Sequence, residues 1–111
     1  MSNIFKDIIE GKLPAEKVFE NEKILAIKDK YPIAPVHILI MPKKEIYNMQ
    51  ELKKEDFFLF LDIIEVAQKL AKKFKIEDGY RFLTNNGKKS GQSIFHLHFH
   101  LIGGRVLGPM G

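Results

Sequence analysis

The sequence predicts an α+β domain: an antiparallel five-stranded sheet with two helices. Three observations predict it. Strand-like stretches come in consecutive groups and do not alternate with helices. The connections inside each group are short, as antiparallel pairing allows. Only two segments carry helical periodicity, a short one at the start and a long one in the middle. The chain has 111 residues, 45% of them apolar, and reads as one domain, 1–111. That length supports a core without disulfide or metal staples.

The elements follow in order. Ile4, Phe5, Ile8 and Ile9 recur at helical spacing, and Gly11 with Pro14 ends the first helix. Strands are expected at Glu16 to Glu20 and Lys23 to Asp29, joined through Asn21-Glu22. Pro32 and Pro35 punctuate the next loop, and Val36 to Met41 is a dense apolar strand stopped by Pro42. From Lys54 to Phe74 a long helix is expected. Placed at 100° steps, Asp62, Glu65, Lys69, Lys72 and Lys73 share one arc, with Phe58 inside it. The rest is apolar. A helix packed on one neighbour needs an apolar stripe of a little over ~100°. This one is about twice as wide, so a second surface is implied, and we expect a subunit interface along 54–74. Glu77-Asp78-Gly79 turns the chain into a strand, Tyr80 to Thr84. A loop, Asn85 to Ser93, leads to the last strand, Ile94 to Ile102, and Gly103-Gly104 stops it.

Composition excludes several function classes. Cysteine is absent, which removes thiol nucleophiles, iron–sulfur clusters and Cys-ligated zinc. The 18 basic residues exceed the 14 acidic ones by four. Sixteen of the basic residues are scattered lysines, while base reading prefers arginine, so no specific nucleic-acid contact is expected. A small anionic substrate fits the same balance. No signal peptide is visible, and the most apolar run, Phe57 to Val66, falls short of the ~20 residues that span a bilayer. A cytoplasmic protein without membrane contact is the expectation.

The strongest chemical signal is His96-Leu97-His98-Phe99-His100. On a strand these imidazoles would share one face at ~6.6–7 Å steps, with Leu97, Phe99 and Leu101 turned into the core. Such a row serves either a metal, through neutral nitrogens with a third ligand elsewhere, or nucleophilic and acid–base catalysis. The preceding loop, Asn85-Asn86-Gly87-Lys88-Lys89-Ser90-Gly91-Gln92-Ser93, favours the second use. Its glycines let backbone N–H groups converge on an anion, and Asn85, Gln92 and Ser93 add neutral donors. No carboxylate follows Gly79. His37 heads the third strand, and Asp29 ends the second, where a carboxylate can accept from ribose hydroxyls.

His96-Leu97-His98-Phe99-His100-Leu101-Ile102 resembles the histidine triad signature, and the likeness extends over nearly the whole chain. Ile4-Phe5…Ile8-Ile9-Glu10-Gly11-Lys12-Leu13-Pro14-Ala15 is similar to the opening of the histidine triad (HIT) family. Asp29…Pro32…Ala34-Pro35-Val36-His37…Pro42-Lys43 is similar to its second block. The nearest branch is the Hint-like purine nucleoside phosphoramidases. The resemblance implies a homodimer that joins two sheets through the long helix. It implies hydrolysis of AMP, or GMP, conjugates such as phosphoramidates through a nucleotidyl intermediate on His98. His96, His100, His37 and Ser93 would assist. Asn85, Gly91, Gln92, Ser93, His98 and His100 would hold the phosphate. Asp29 and Lys30 would lie at the ribose, and Ile4, Phe5, Ile8 and Ile27 would line the base pocket. No metal or other cofactor is implied.

Three departures stand out. Where some relatives carry Cys-X-X-Cys for a structural zinc, this chain reads Asn3-Ile4-Phe5-Lys6. The tail from Arg105 to Gly111 lacks the tryptophan of animal Hint proteins, and Lys28 and Lys30 flank Asp29. Two alternatives stand beside the hydrolase: a zinc enzyme using His96, His98 and His37, and a nucleotide-binding module with little turnover. Sequence leaves the physiological leaving group and the choice between adenine and guanine open.

Overall fold

Asn3 starts the chain's first helix. Its side-chain oxygen accepts the Lys6 N–H at 2.6 Å and so caps α1, Ile4–Ile9. The helix stops where Gly11 takes φ +79°, a conformation that favours glycine. A computed structural model describes residues 3–110. After α1 come β1 (Lys17–Glu20), β2 (Ile24–Lys28) and β3 (Val36–Pro42). A long helix α2 (Phe57–Lys73) and two strands, β4 (Tyr80–Leu83) and β5 (Phe99–Gly103), follow. The five strands form one antiparallel sheet in the order β1-β2-β3-β5-β4.

Period-2 alternation gives the sheet two covered faces. Ile24, Ala26, Ile38, Ile40, Phe99 and Leu101 point to one, where Leu59, Ile63, Val66, Ala67, Leu70 and Ala71 of α2 seal them. Leu25, Ile27, Leu39 and Met41 point to the other, under Phe5 and Ile8 of α1. The expected surplus of apolar surface on α2 is present: Phe57 stays 51% exposed and Leu61 65%. The helix begins later than expected, because Lys54–Asp56 forms a separate 3-10 turn.

The histidine strand differs most from expectation. Only Phe99–Gly103 joins the ladder, with Ile40 opposite Phe99 as the last pair. Proline 42 ends β3 and has no N–H to offer a partner. Beyond it the chain bonds elsewhere: the Leu97 N–H donates to the Ile46 carbonyl at 2.7 Å. The Thr84 hydroxyl donates to the His98 carbonyl at 2.6 Å. The alternation nonetheless persists through the irregular stretch. Leu97, Phe99 and Leu101 all lie in the α2-side core, while the rings of His98 and His100 meet on the other side at 5.2 Å.

Candidate active site

Each ring of the row is fixed by a different partner, and the partners decide where its proton sits. His98 Nδ1 lies 2.7 Å from the His96 carbonyl. A carbonyl only accepts, so Nδ1 carries the hydrogen and Nε2 keeps a lone pair. His96 is fully buried, at 0% exposure. Its Nε2–H donates to the Pro42 carbonyl at 2.8 Å, and its Nδ1 faces the Asn3 amide at 3.5 Å. The family resemblance implied that His96 assists His98. The ring is enclosed, and what it offers the site is its main-chain carbonyl.

The other end of the row is a relay. The Ile33 N–H donates to His37 Nδ1 at 3.2 Å. The His37 proton is therefore on Nε2, which lies 2.9 Å from His100 Nδ1 and 3.3 Å from Asp29 Oδ2. His100 Nδ1 accepts, so its hydrogen is on Nε2. Asp29 Oδ1 also accepts the Tyr31 N–H at 2.8 Å, in a tight turn.

Burial holds all four rings neutral. Desolvation lowers His37, His96 and His98 below the usual imidazole range, and carries His100 to about 4. For His100 the neighbouring His98 and His37 push the same way, while Asp29 opposes. Phe5 adds to the dry environment, with its ring edge-on to His98 at 4.9 Å between centroids.

The loop before the row is shaped by two glycines, Gly87 at φ +87° and Gly91 at φ +104°, on either side of a 3-10 turn, Lys88–Ser90. A Cβ on Gly91 would come 4.0 Å from Asn85 Nδ2, so this backbone and that amide lie side by side. Gln92 was expected as a phosphate donor. Its side chain is 4% exposed and already committed. Oε1 accepts the Gly87 N–H at 2.8 Å, and Nε2 donates to the carbonyls of Tyr47 at 3.0 Å and Ile94 at 3.1 Å. Gln92 staples the loop, and the Gly91 N–H, also expected as a donor, is spent on the Lys88 carbonyl at 3.0 Å, so Asn85 and the exposed Ser93 remain as donors. The base-pocket set divides likewise. Phe5, Ile8 and Ile27 are packed in a closed cluster, whereas Ile4 is 48% exposed and lines a groove with Ser93. Lys30 extends over Tyr31, at 5.9 Å from its ring, and makes no contact with Asp29's carboxylate.

Residues 10–107 match the HIT domain. The chain belongs to the HIT family. It is 51% identical over 110 residues to an uncharacterized HIT-like protein of Chlamydia trachomatis, covering 99% of each chain. A similar protein of Rickettsia prowazekii is 45% identical, over 95% of this chain and 89% of that one. Among solved structures, a HIT family hydrolase from Clostridium thermocellum superposes with a TM-score of 0.94 at 43% identity, covering 98% of this chain and 96% of that one. A histidine triad nucleotide-binding protein from Candida albicans gives 0.82 at 31% identity, covering 99% and 86%. The HIT chain therefore has the fold of hydrolases and nucleotide-binding proteins of its family.

The HIT site can be tested as a metal site. The donor atoms of Asp29, His37 and His100 lie within 4.8 Å of one another. A neutral imidazole bound to metal through one nitrogen carries its hydrogen on the other and donates it. His37 Nδ1 instead faces an N–H donor, Ile33, so a metal on Nε2 would set two hydrogens against each other. The trio suits a hydrogen-bond relay and not an ion. The set considered for zinc from sequence, His96, His98 and His37, does not form such a group among the described residues.

Sequence reasoning missed Thr84, Asn3 and Glu45. The Asn3 amide reaches Glu45 at 3.3 Å, and Lys6 pairs with Glu45 at 3.5 Å. An asparagine directly before Ile4 was a legible cap signal. Its reach to Glu45 and His96 is a tertiary fact with no local trace. No helix among the described residues is long and apolar enough to cross a membrane.

Proposed function

We propose that this HIT protein hydrolyses conjugates of nucleoside 5′-monophosphates, AMP amidates foremost, through a nucleotidyl group carried on His98. One observation supports it above the rest. The 2.7 Å bond from His98 Nδ1 to a carbonyl leaves Nε2 as a free, neutral nucleophile.

His98 Nε2 attacks the α-phosphorus and the bond from phosphorus to the amine nitrogen breaks. The anionic phosphate raises the proton affinity of the neighbouring rings, so the His37–His100 pair takes up one proton on binding. That proton leaves with the amine, through His100 and Ser93. Water then attacks phosphorus and gives a proton back to the pair, the bond from phosphorus to Nε2 breaks, and AMP departs. Asn85 and Ser93 meet the charge that builds up on the phosphate oxygens. Asp29 accepts from the ribose. Two displacements give net retention at phosphorus. The pH profile belongs to the cluster and is bell-shaped.

The unit of action in this proposal is a homodimer. A second copy packed against α2 would cover Phe57 and Leu61 and meet β4, an edge strand of the sheet. Sedimentation at micromolar concentration checks it: a monomer would remove this part.

The test mixes the protein with an AMP amidate and follows AMP and free amine. Release of both, with a nucleotidyl adduct on His98 trapped by alkaline quench, is the expected result. His98→Ala should abolish turnover and leave AMP binding within about tenfold, ~1.4 kcal/mol. AMP binding without any release would favour a binding module. An active His98→Ala variant would remove His98 as nucleophile.

A further inference from the structure

Between Asp29 and β3 the chain runs through residues 30–35 with little packing to hold it. Only Ala34 among them is buried, while Tyr31 is 78% exposed and Ile33 61%. Pro32 and Pro35 have no N–H to offer. Among the described residues, the loop's hydrogen bonds run to Asp29, His37 and Arg105. The first two partners belong to the site. Arg105 comes from the chain beyond β5.

Gly104 brings Arg105 there. Its φ of +97° turns the chain out of β5, and a Cβ on it would lie 3.0 Å from Pro35 Cβ. The bare glycine lets the backbone close on Pro35, and the next residue reaches the loop. The Arg105 guanidinium is fixed at two points. Its Nη1 donates to the Val106 carbonyl at 2.9 Å, and its Nη2 donates to the Ile33 carbonyl at 2.9 Å. A guanidinium stays charged near neutral pH, and a charged donor bonds a carbonyl more strongly than a neutral one.

Ile33 is therefore bonded through both of its main-chain groups. Its carbonyl accepts from Arg105, and its N–H donates to His37 Nδ1 at 3.2 Å. The second bond keeps the His37 hydrogen on Nε2, aimed at His100 Nδ1 at 2.9 Å. At 3.2 Å that bond is at the long end of its range, so it depends on the loop staying in place. Without the guanidinium the exposed peptide is free to swing. His37 is then held less often in the arrangement that serves His100, and the pair is loosened without being inverted.

We propose that Arg105 is a positioning residue for proton delivery, acting through the Ile33 peptide on the His37–His100 pair. The assignment rests on the hydrolase function proposed above. It adds to that function a residue that touches neither substrate nor the reacting atoms.

The experiment compares two conjugates on wild type and on Arg105→Met, which keeps an apolar stem and removes the donors. An AMP amidate needs a proton on its amine nitrogen as the bond to phosphorus breaks. The p-nitrophenyl ester of AMP needs none, because nitrophenolate departs as an anion. kcat/KM covers only the steps through departure of the leaving group, so the later attack by water does not enter. Arg105→Met should lower kcat/KM for the amidate about tenfold, the worth of one charge-assisted hydrogen bond, and leave the ester within about twofold. Arg105→Lys, which keeps the charge without the fork, should fall between. Amide hydrogen exchange at Ile33 should be about tenfold faster in Arg105→Met. Equal losses on both conjugates, or no loss on the amidate, would overturn the positioning role and leave the hydrolase function standing. If wild type turns over neither conjugate, the hydrolase function falls. Exchange at Ile33 then tests the tie directly, and unchanged protection would overturn it. Should Arg105→Met lose its cooperative urea transition, Arg105→Lys carries the same comparison.

Discussion

Removing the Gln92 side chain separates a structural staple from a ligand donor. Gln92→Ala deletes three hydrogen bonds at 2.8, 3.0 and 3.1 Å, to Gly87, Tyr47 and Ile94. Each is worth ~0.5–1.5 kcal/mol net, so the loss is ~3 kcal/mol. That is a large share of the ~5–15 kcal/mol typical of a domain. With a urea slope of ~2 kcal/mol/M, the unfolding midpoint falls by roughly 1.5 M. Gln92→Glu refines the test. A carboxylate still accepts from the Gly87 N–H but faces two carbonyls with nothing to donate. Its folded pKa is therefore raised above ~4.3. The variant's deficit against wild type is full above that raised value and shrinks as pH falls through it. Equilibrium urea unfolding of the three proteins at matched pH reads all of this. A Gln92→Ala stability within ~0.5 kcal/mol of wild type, with nucleotide affinity lost, would refute the staple and restore the direct phosphate donor.

Acidification should destabilise the fold before carboxylates matter. His37, His96, His98 and His100 are all lowered from 6.5 when folded, His100 to about 4. The unfolded chain binds their protons first, so stability falls as pH drops below ~6.5 and continues to fall until the folded rings titrate. His100 alone contributes roughly 2 kcal/mol between pH 7 and pH 5; a flat urea midpoint over that interval would contradict neutral rings. Phe5→Ala should cost ~3–5 kcal/mol as a buried ring is lost, and should let the His98 pKa climb toward its ordinary value, visible by NMR titration. In Gly103→Ala the new Cβ would lie 3.0 Å from Ile76 Cδ1 and 3.1 Å from the Gly79 carbonyl. Overpacking of ~1–3 kcal/mol should appear as a lower melting temperature.

Much of the fold was legible because its signals are local. Gly11 and Pro14 end α1, and dense apolar runs mark β2 and β3. The width of α2's apolar arc appears directly in exposed Phe57 and Leu61. What was not legible depends on partners distant in sequence. The ladder stops at Phe99 because Pro42, over fifty residues earlier, has no N–H. Composition marked Gln92 as a donor, but only the fold shows its amide spent on Tyr47 and Ile94. Period 2 placed the imidazoles on one side of the chain. It could not distinguish His96, whose ring is enclosed, from His98, whose Nε2 is free.

The N–H of Ile33 gives the row a polarity that no side-chain replacement can reverse. It is a peptide group, and it neither titrates near neutral pH nor rotates to present an acceptor. With it bonded to His37 Nδ1, hydrogens point from His37 toward His100. Substitutions in the groove or over the base can therefore retune which molecules enter while the sense of proton flow stays fixed. Reversing that sense would take a new path for the main chain between Tyr31 and Val36. Diversification of this scaffold is thus expected at its walls and not along its wire.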